Sequence, residues 1–131
     1  MSEHPNVIVV RESYDALAKG DLDYLRGTLL ADDVVFHVPG RGALAGAYRG
    51  KDEVVNYLTR LGELSENTLA YEPESFLVGD DRVAALVRVR GERGDRRLDD
   101  HGVQVFRVAD GKITERWSYP YDPYLFDEFS A

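Results

Sequence analysis

At 131 residues, 44% of them hydrophobic, the chain is long enough for one compact domain with its own core and short for two, so a single domain over residues 1–131 is expected. Twenty-four acidic against 16 basic residues leave a formal charge of −8, which repels polyanions and argues against nucleic acid as a partner. No apolar run approaches the roughly 20 residues of a membrane span, the polar start MSEHPN has no basic stretch running into an apolar one as a secretory leader would, and cysteine is absent. The expected setting is the cytoplasm, with no membrane contact, disulfide or thiolate chemistry.

In chain order, Pro5 opens a helix whose apolar stripe is Val7, Val10, Tyr14 and Leu17, stopping at Lys19-Gly20. His4 falls in the frayed tail before it. Asp21 is the N-cap of a second, shorter helix carrying Leu22, Leu25 and Leu29. From Asp33 to Val38 the period becomes extended, with Val34, Phe36 and Val38 on one side and Val35 and His37 on the other, until Pro39-Gly40 ends the strand. Gly40 to Gly50 is too rich in glycine for regular structure and reads as a loop. Lys51 to Leu64 is a third helix that buries Val54, Val55, Leu58 and Leu61.

Everything after Thr68 is strand-like. Leu69 to Val78 leads through Gly79-Asp80-Asp81 into an alternating run of Val83, Ala85, Val87 and Val89. The basic cluster from Arg88 to Arg97 is interrupted by Gly91, Glu92, Gly94 and Asp95, and reads as a solvated hairpin turn. A last hairpin runs from Asp99 to Tyr119. Its return strand alternates Ile113, Glu115, Trp117 and Tyr119 against Thr114, Arg116 and Ser118, so the apolar set, Glu115 included, is expected to face the interior.

The turn of this hairpin admits two registers. A two-residue type I′ turn at Asp110-Gly111 puts Glu115 on the same face as Phe106, and Trp117 with Gln104. A type I turn over Ala109-Asp110-Gly111 closed by a glycine bulge shifts the outgoing strand by one, so that His101, Val103 and Val105 join Glu115, Trp117 and Tyr119. The second is favoured, because it pairs two valines with the aromatic face and gives the carboxylate a titratable neighbour.

The order helix, helix, strand, helix, then about four meandering strands predicts an α+β fold. Its curved, mostly antiparallel sheet wraps around three helices from the N-terminal half, as a cone-shaped, half-open barrel whose interior is partly core and partly pocket. The segments AKGDLDYLRGTLLADDVVFHVPG, GAYRGKDEVVNYL and VFRVADGKITERW resemble the nuclear transport factor 2-like superfamily, and within it the SnoaL-like branch that includes polyketide cyclases. In those cyclases a carboxylate on the last strand is the acid/base and a histidine stands on the strand before it. Glu115 and His101 are similar in placement, with glutamate where the family has aspartate. In the related ketosteroid isomerases an aspartate precedes proline on the first strand; here Val38 precedes Pro39 and Tyr14 is about one position off the matching tyrosine, which disfavours that chemistry. The Asp-Arg-Asp set of the related epoxide hydrolases is not recognisable. The resemblance also implies a homodimer formed through the open sheet face.

These readings lead to a cofactor-independent isomerase or cyclase acting on a hydrophobic or aromatic small molecule. Glu115 moves the proton, its carboxylate activated by desolvation, and His101 assists. Tyr14, His37, Tyr48, Tyr57, Val103, Trp117 and Tyr119 are expected to line the pocket, since tyrosines combine an apolar ring with a polar tip. The aromatic tail Tyr119 to Ala131 is expected to close the pocket mouth or to pack on a second subunit. No metal is assigned: His37, His101 and Glu115 lack any local spacing that supports a ligand set. The alternative is a non-catalytic ligand-binding or dimerisation module of the same fold.

Overall fold

The computed structural model describes residues 3–131. Helix α1 (Pro5–Lys19), a single helical turn α2 (Leu22–Tyr24) and a π-helical turn (Leu25–Leu29) lead into strand β1 (Leu30–Val38). Strand β2 (Gly46–Arg49) and helix α3 (Lys51–Leu64) follow. Strands β3 (Ala70–Gly79), β4 (Arg82–Arg93), β5 (Arg96–Ala109) and β6 (Lys112–Pro120) then precede a terminal helix, α4 (Pro123–Ser130). The six strands form one curved, unclosed sheet in the order β2-β1-β6-β5-β4-β3, antiparallel except where β1 meets β6. This is the expected half-open α+β cone. No helix among the described residues is long and apolar enough to cross a membrane.

The first helix begins and ends where its sequence dictates. His4 is not frayed: its Nδ1 accepts the Asn6 N–H at 3.1 Å, satisfying one of the free donors of the first turn. Gly20, at φ 70°, closes the helix by donating to the Ala16 and Leu17 carbonyls. In α3, Asp52 and Glu53 occupy the first turn, where the helix dipole favours them. Helices α1 and α3 cover the concave face of the sheet, and Val10, Val34, Val54, Val83, Ala85 and Ile113 are fully buried in the core between them. Two further expectations need correction. The glycine-rich segment is not all loop, because Gly46–Arg49 pairs with Val35–Val38 as an edge strand. The second helix is a single turn that widens into a π turn, which still buries Leu25 and Leu29.

The decisive local feature is in the β5–β6 hairpin. Asp110 at φ 53° and Gly111 at φ 75° make a two-residue turn closed by Ala109 opposite Lys112, the type I′ geometry. Two residues later the register jumps from Val108↔Ile113 to Arg107↔Glu115, leaving Thr114 unpaired in a bulge, its hydroxyl donating to the Arg107 carbonyl at 3.3 Å. The turn is thus the first option of the sequence reading, whereas the cross-strand partners are those of the second, with Val105 opposite Trp117 and Val103 opposite Tyr119. The bulge also breaks the alternation. Ile113 points inward, but beyond it the inward residues are Arg116 and Ser118, and Glu115, Trp117 and Tyr119 point to the outer face.

Deleting Thr114 should regularise the ladder and leave both faces as they are, because Ile113 would be followed directly by Glu115 opposite outward-facing Arg107 and Arg116 opposite inward-facing Phe106. The variant should unfold cooperatively with stability changed by about 1 kcal/mol or less, an ordinary value for a single change. A loss of about 3 kcal/mol or more, the scale of an uncompensated buried charge, would show that the faces had exchanged and that the bulge does not set the phase of the strand.

Candidate functional site

Two hollows adjoin inside the cone and share Tyr71, Gln104 and Arg116 in their walls. The smaller, about 70 Å³, is bounded mainly by Val38, Tyr57, Val87, Leu98, Asp100 and Phe126. The larger, about 520 Å³, lies between the C-terminal ends of α1 and α3 and the start of β3. Its size is in the range of small-molecule sites. Pro123 and Phe126 of α4 line the smaller hollow, so the aromatic tail folds back onto the pocket as one of the two expected outcomes required.

Polar groups converge between the hollows. The Tyr14 hydroxyl donates to Gln104 Oε1 at 2.5 Å, and Gln104 Nε2 donates to Ser118 Oγ at 2.9 Å. This chain leaves the Ser118 hydroxyl free to donate. Arg116 is only 4% exposed and lies with its guanidinium carbon 4.2 Å from the centre of the Phe36 ring. None of the ion pairs among the described residues includes it, and its Nε has no hydrogen-bond partner. A cation–π contact is worth about 2 kcal/mol when desolvated, less than the several kcal/mol that desolvating a cation costs. The contact with Phe36 therefore does not offset the burial of Arg116.

Three tyrosines surround this cation. Burial pushes the Tyr14, Tyr57 and Tyr71 hydroxyls well above the usual phenol range, while the nearby positive charge of Arg116 pulls each of them part of the way back. Tyr71 is only partly covered as a residue, yet desolvation of its hydroxyl remains the largest cause. Tyr48 stacks on Tyr57 at 4.6 Å and donates to the Leu44 carbonyl at 2.7 Å, so it supports the wall and does not line it.

Several residues expected in the pocket are elsewhere. Glu115 lies on the outer sheet face, its side chain 24% exposed, with His37 Nε2 at 2.6 Å and Arg107 Nη1 at 3.4 Å. The cause is the Thr114 bulge, which reverses the phase of β6. His37 stacks on Trp117 at 5.5 Å on the same face. Arg107 and Arg82 lie against the Trp117 ring, and Arg107 Nε is 3.3 Å from Asp81 Oδ2 without the alignment of a hydrogen bond. His101 also faces outward, 61% exposed and 3.5 Å from Glu74, although it borders the smaller hollow. Its carbonyl accepts the Tyr121 N–H, so it is six strand positions, roughly 20 Å, from Glu115. The sequence reading brought these two together; the structure does not. Val103 and Tyr119 belong to the outer face but also contribute to the wall of the smaller hollow beside Gly102.

The residues missed by sequence reasoning are Arg116, Ser118, Gln104, Tyr71 and Asp100. Among the described residues Asp100 is the only carboxylate in the walls of either hollow, and its Oδ2 accepts the Asp122 N–H at 3.1 Å. The available signal was β5 itself, where Gln104 falls in phase with Phe106 and Val108.

Comparison with known proteins is consistent throughout. The SnoaL-like domain family matches residues 10–116. An uncharacterized protein of Mycobacterium tuberculosis is 34% identical over 132 residues, covering 100% of both chains. Among solved structures, Bal32a from a soil-derived mobile gene cassette superposes with a TM-score of 0.92 at 31% identity, covering 97% of each chain. An NTF2-like protein of Burkholderia xenovorans gives 0.84 at 25% identity, over 100% of this chain and 99% of the other. IdmH of Streptomyces antibioticus, a candidate polyketide cyclase, gives 0.76 at 21% identity, over 98% of this chain and 100% of the other, a likeness of fold.

The buried tyrosines make stability depend on alkaline pH. An unfolded tyrosine loses its proton near pH 10, whereas Tyr14, Tyr57 and Tyr71 hold theirs in the fold. Above that pH the unfolded state binds fewer protons than the native state, so stability is fully present below about pH 10 and falls as pH rises further. In an ultraviolet titration, three of the eight tyrosines should ionise only together with loss of the native circular dichroism. Smooth ionisation of all eight in a folded protein would contradict this.

Proposed function

The chain belongs to the SnoaL-like domain family of the nuclear transport factor 2-like superfamily, and on that premise we propose that it acts on a small, largely apolar molecule held in the interior hollows, as a cofactor-independent isomerase or cyclase. The observation that carries this reading is the placement of a single carboxylate, Asp100, in a wall of mostly apolar side chains and hydroxyl groups that also holds Gln104, His101 and Arg116. In this role Asp100 takes a proton from carbon next to a carbonyl, and the Ser118 and Tyr57 hydroxyls stabilise the enolate oxygen. Glu115 has no part in it, because its carboxylate is on the other side of the sheet. The likeness to a candidate polyketide cyclase supports the same reaction class.

A binding module of the same fold is the second reading, favoured by the hydrogen bond that Asp100 already makes to the Asp122 backbone. The two differ in one measurement. Molecules that co-purify with the protein are released, identified by mass spectrometry, and returned to it in D₂O. An enzyme incorporates deuterium at the enolisable carbon, and Asp100→Asn lowers that rate by at least about 100-fold, the usual scale of a general base, with little change in affinity. Exchange that is absent, or unchanged in the variant, leaves the binding module.

The outer sheet face supports a homodimer. Leu86 and Tyr119 are 38% and 55% exposed there beside Val103, Val105 and Trp117, a contiguous apolar surface of the kind that favours a second copy. Replacing both Leu86 and Tyr119 with lysine should shift sedimentation to the monomer while leaving the fold intact. A wild-type protein that sediments as a monomer at micromolar concentration would end this proposal.

A further inference from the structure

We infer that the molecule held in the larger hollow is an anion, whose carboxylate oxygens are received by the Arg116 guanidinium; this rests on the reading of the interior as a small-molecule site. Two independent observations carry it. The first is the state of Arg116: it is nearly fully buried, makes no ion pair, and has an unpartnered Nε in the wall common to both hollows. A buried guanidinium is ordinarily matched by a carboxylate, because its fork of donors fits two oxygens in one plane. Here that match is missing from the protein.

The second observation is the sign of the charge around the larger hollow. Among the described residues its only charged lining side chains are Arg116 and Lys19, both cationic, in a chain whose formal charge is −8. With no acidic side chain in the walls, the field inside favours a negative guest. The last carbonyls of α1 and α3, which border the mouth, are engaged by the Gly20, Ser65 and Asn67 N–H groups, so they present few free acceptors to an entering anion. Lys19 stands at the exposed end and Arg116 at the buried end. Leu17, Leu58, Leu61 and Leu69 between them supply an apolar channel suited to a ring system. The guest is therefore an aromatic or polycyclic acid with its anionic group directed inward, and Asp100 lies beyond it, in the smaller hollow.

The test uses 2-naphthoate and its neutral counterpart 2-naphthalenemethanol as probes, titrated calorimetrically into the intact protein. The wild type should bind naphthoate at least tenfold more tightly than the alcohol. Arg116→Met should abolish that preference without lowering the melting temperature of the ligand-free protein, since it removes an unmatched buried charge. Arg116→Lys, which keeps the charge if the methionine variant does not fold, should retain part of the preference. Ala18→Trp, at the wall of the larger hollow, should block both probes. Equal affinity for the two probes, a preference that survives Arg116→Met, or binding indifferent to Ala18→Trp overturns the inference. In the first two cases the interior small-molecule site still stands. If neither probe binds and nothing co-purifies, that site falls as well, and the inference with it.

Discussion

One unpaired residue, Thr114, decides what the inside of this protein is made of. Before it, β6 runs in phase with the hairpin turn and sends Ile113 into the core; after it, the phase is reversed and Arg116 and Ser118 go in. Because side chains alternate with a period of two, a single inserted residue exchanges the faces of the rest of the strand. Glu115 and Trp117, the most suggestive residues of the C-terminal half, are sent outward by the same step. The interior that results is rich in hydroxyls and holds one unmatched cation, where an unbroken strand would have held a carboxylate and an indole.

That cation organises the electrostatics of the hollow. Arg116 is flanked by Phe36 on one side and lowers the proton affinity of three buried tyrosines on the others, opposing the larger effect of their desolvation. Its neighbours hold it without neutralising it. Buried charge of this kind is costly to the free protein, and such cost is commonly located at functional sites. The Tyr14–Gln104–Ser118 chain beside it is satisfied and therefore rigid, which keeps the donors aimed at the same place.

On the outer face, the same sheet carries a cluster that is polar at one end and apolar at the other. His37, Glu115, Arg107 and Asp81 form a linked set around Trp117, while Val103, Val105, Leu86 and Tyr119 continue as an apolar surface. Both faces of β5 are thus partly apolar, one packed against helices and the other on the outside of the sheet.

Most elements and their order were legible in the sequence, the edge strand β2 and the terminal helix α4 excepted. Apolar spacing places α1 over Pro5–Lys19 and α3 over Lys51–Leu64, and alternation with glycine turns places the last four strands, because these signals act over a few residues. The hairpin partners Val105–Trp117 and Val103–Tyr119 were also readable. Which face of that hairpin looks inward was not. Val103 and Val105 on one side of β5 are as apolar as Phe106 and Val108 on the other, so hydrophobicity is silent on the choice. It is settled by pairing β6 with β1 and β5 at once, where Val35 and Arg107 must both meet Glu115 and the ladder can close only by leaving Thr114 out. Local chemistry determined the strands, and long-range register determined which of their residues form the site.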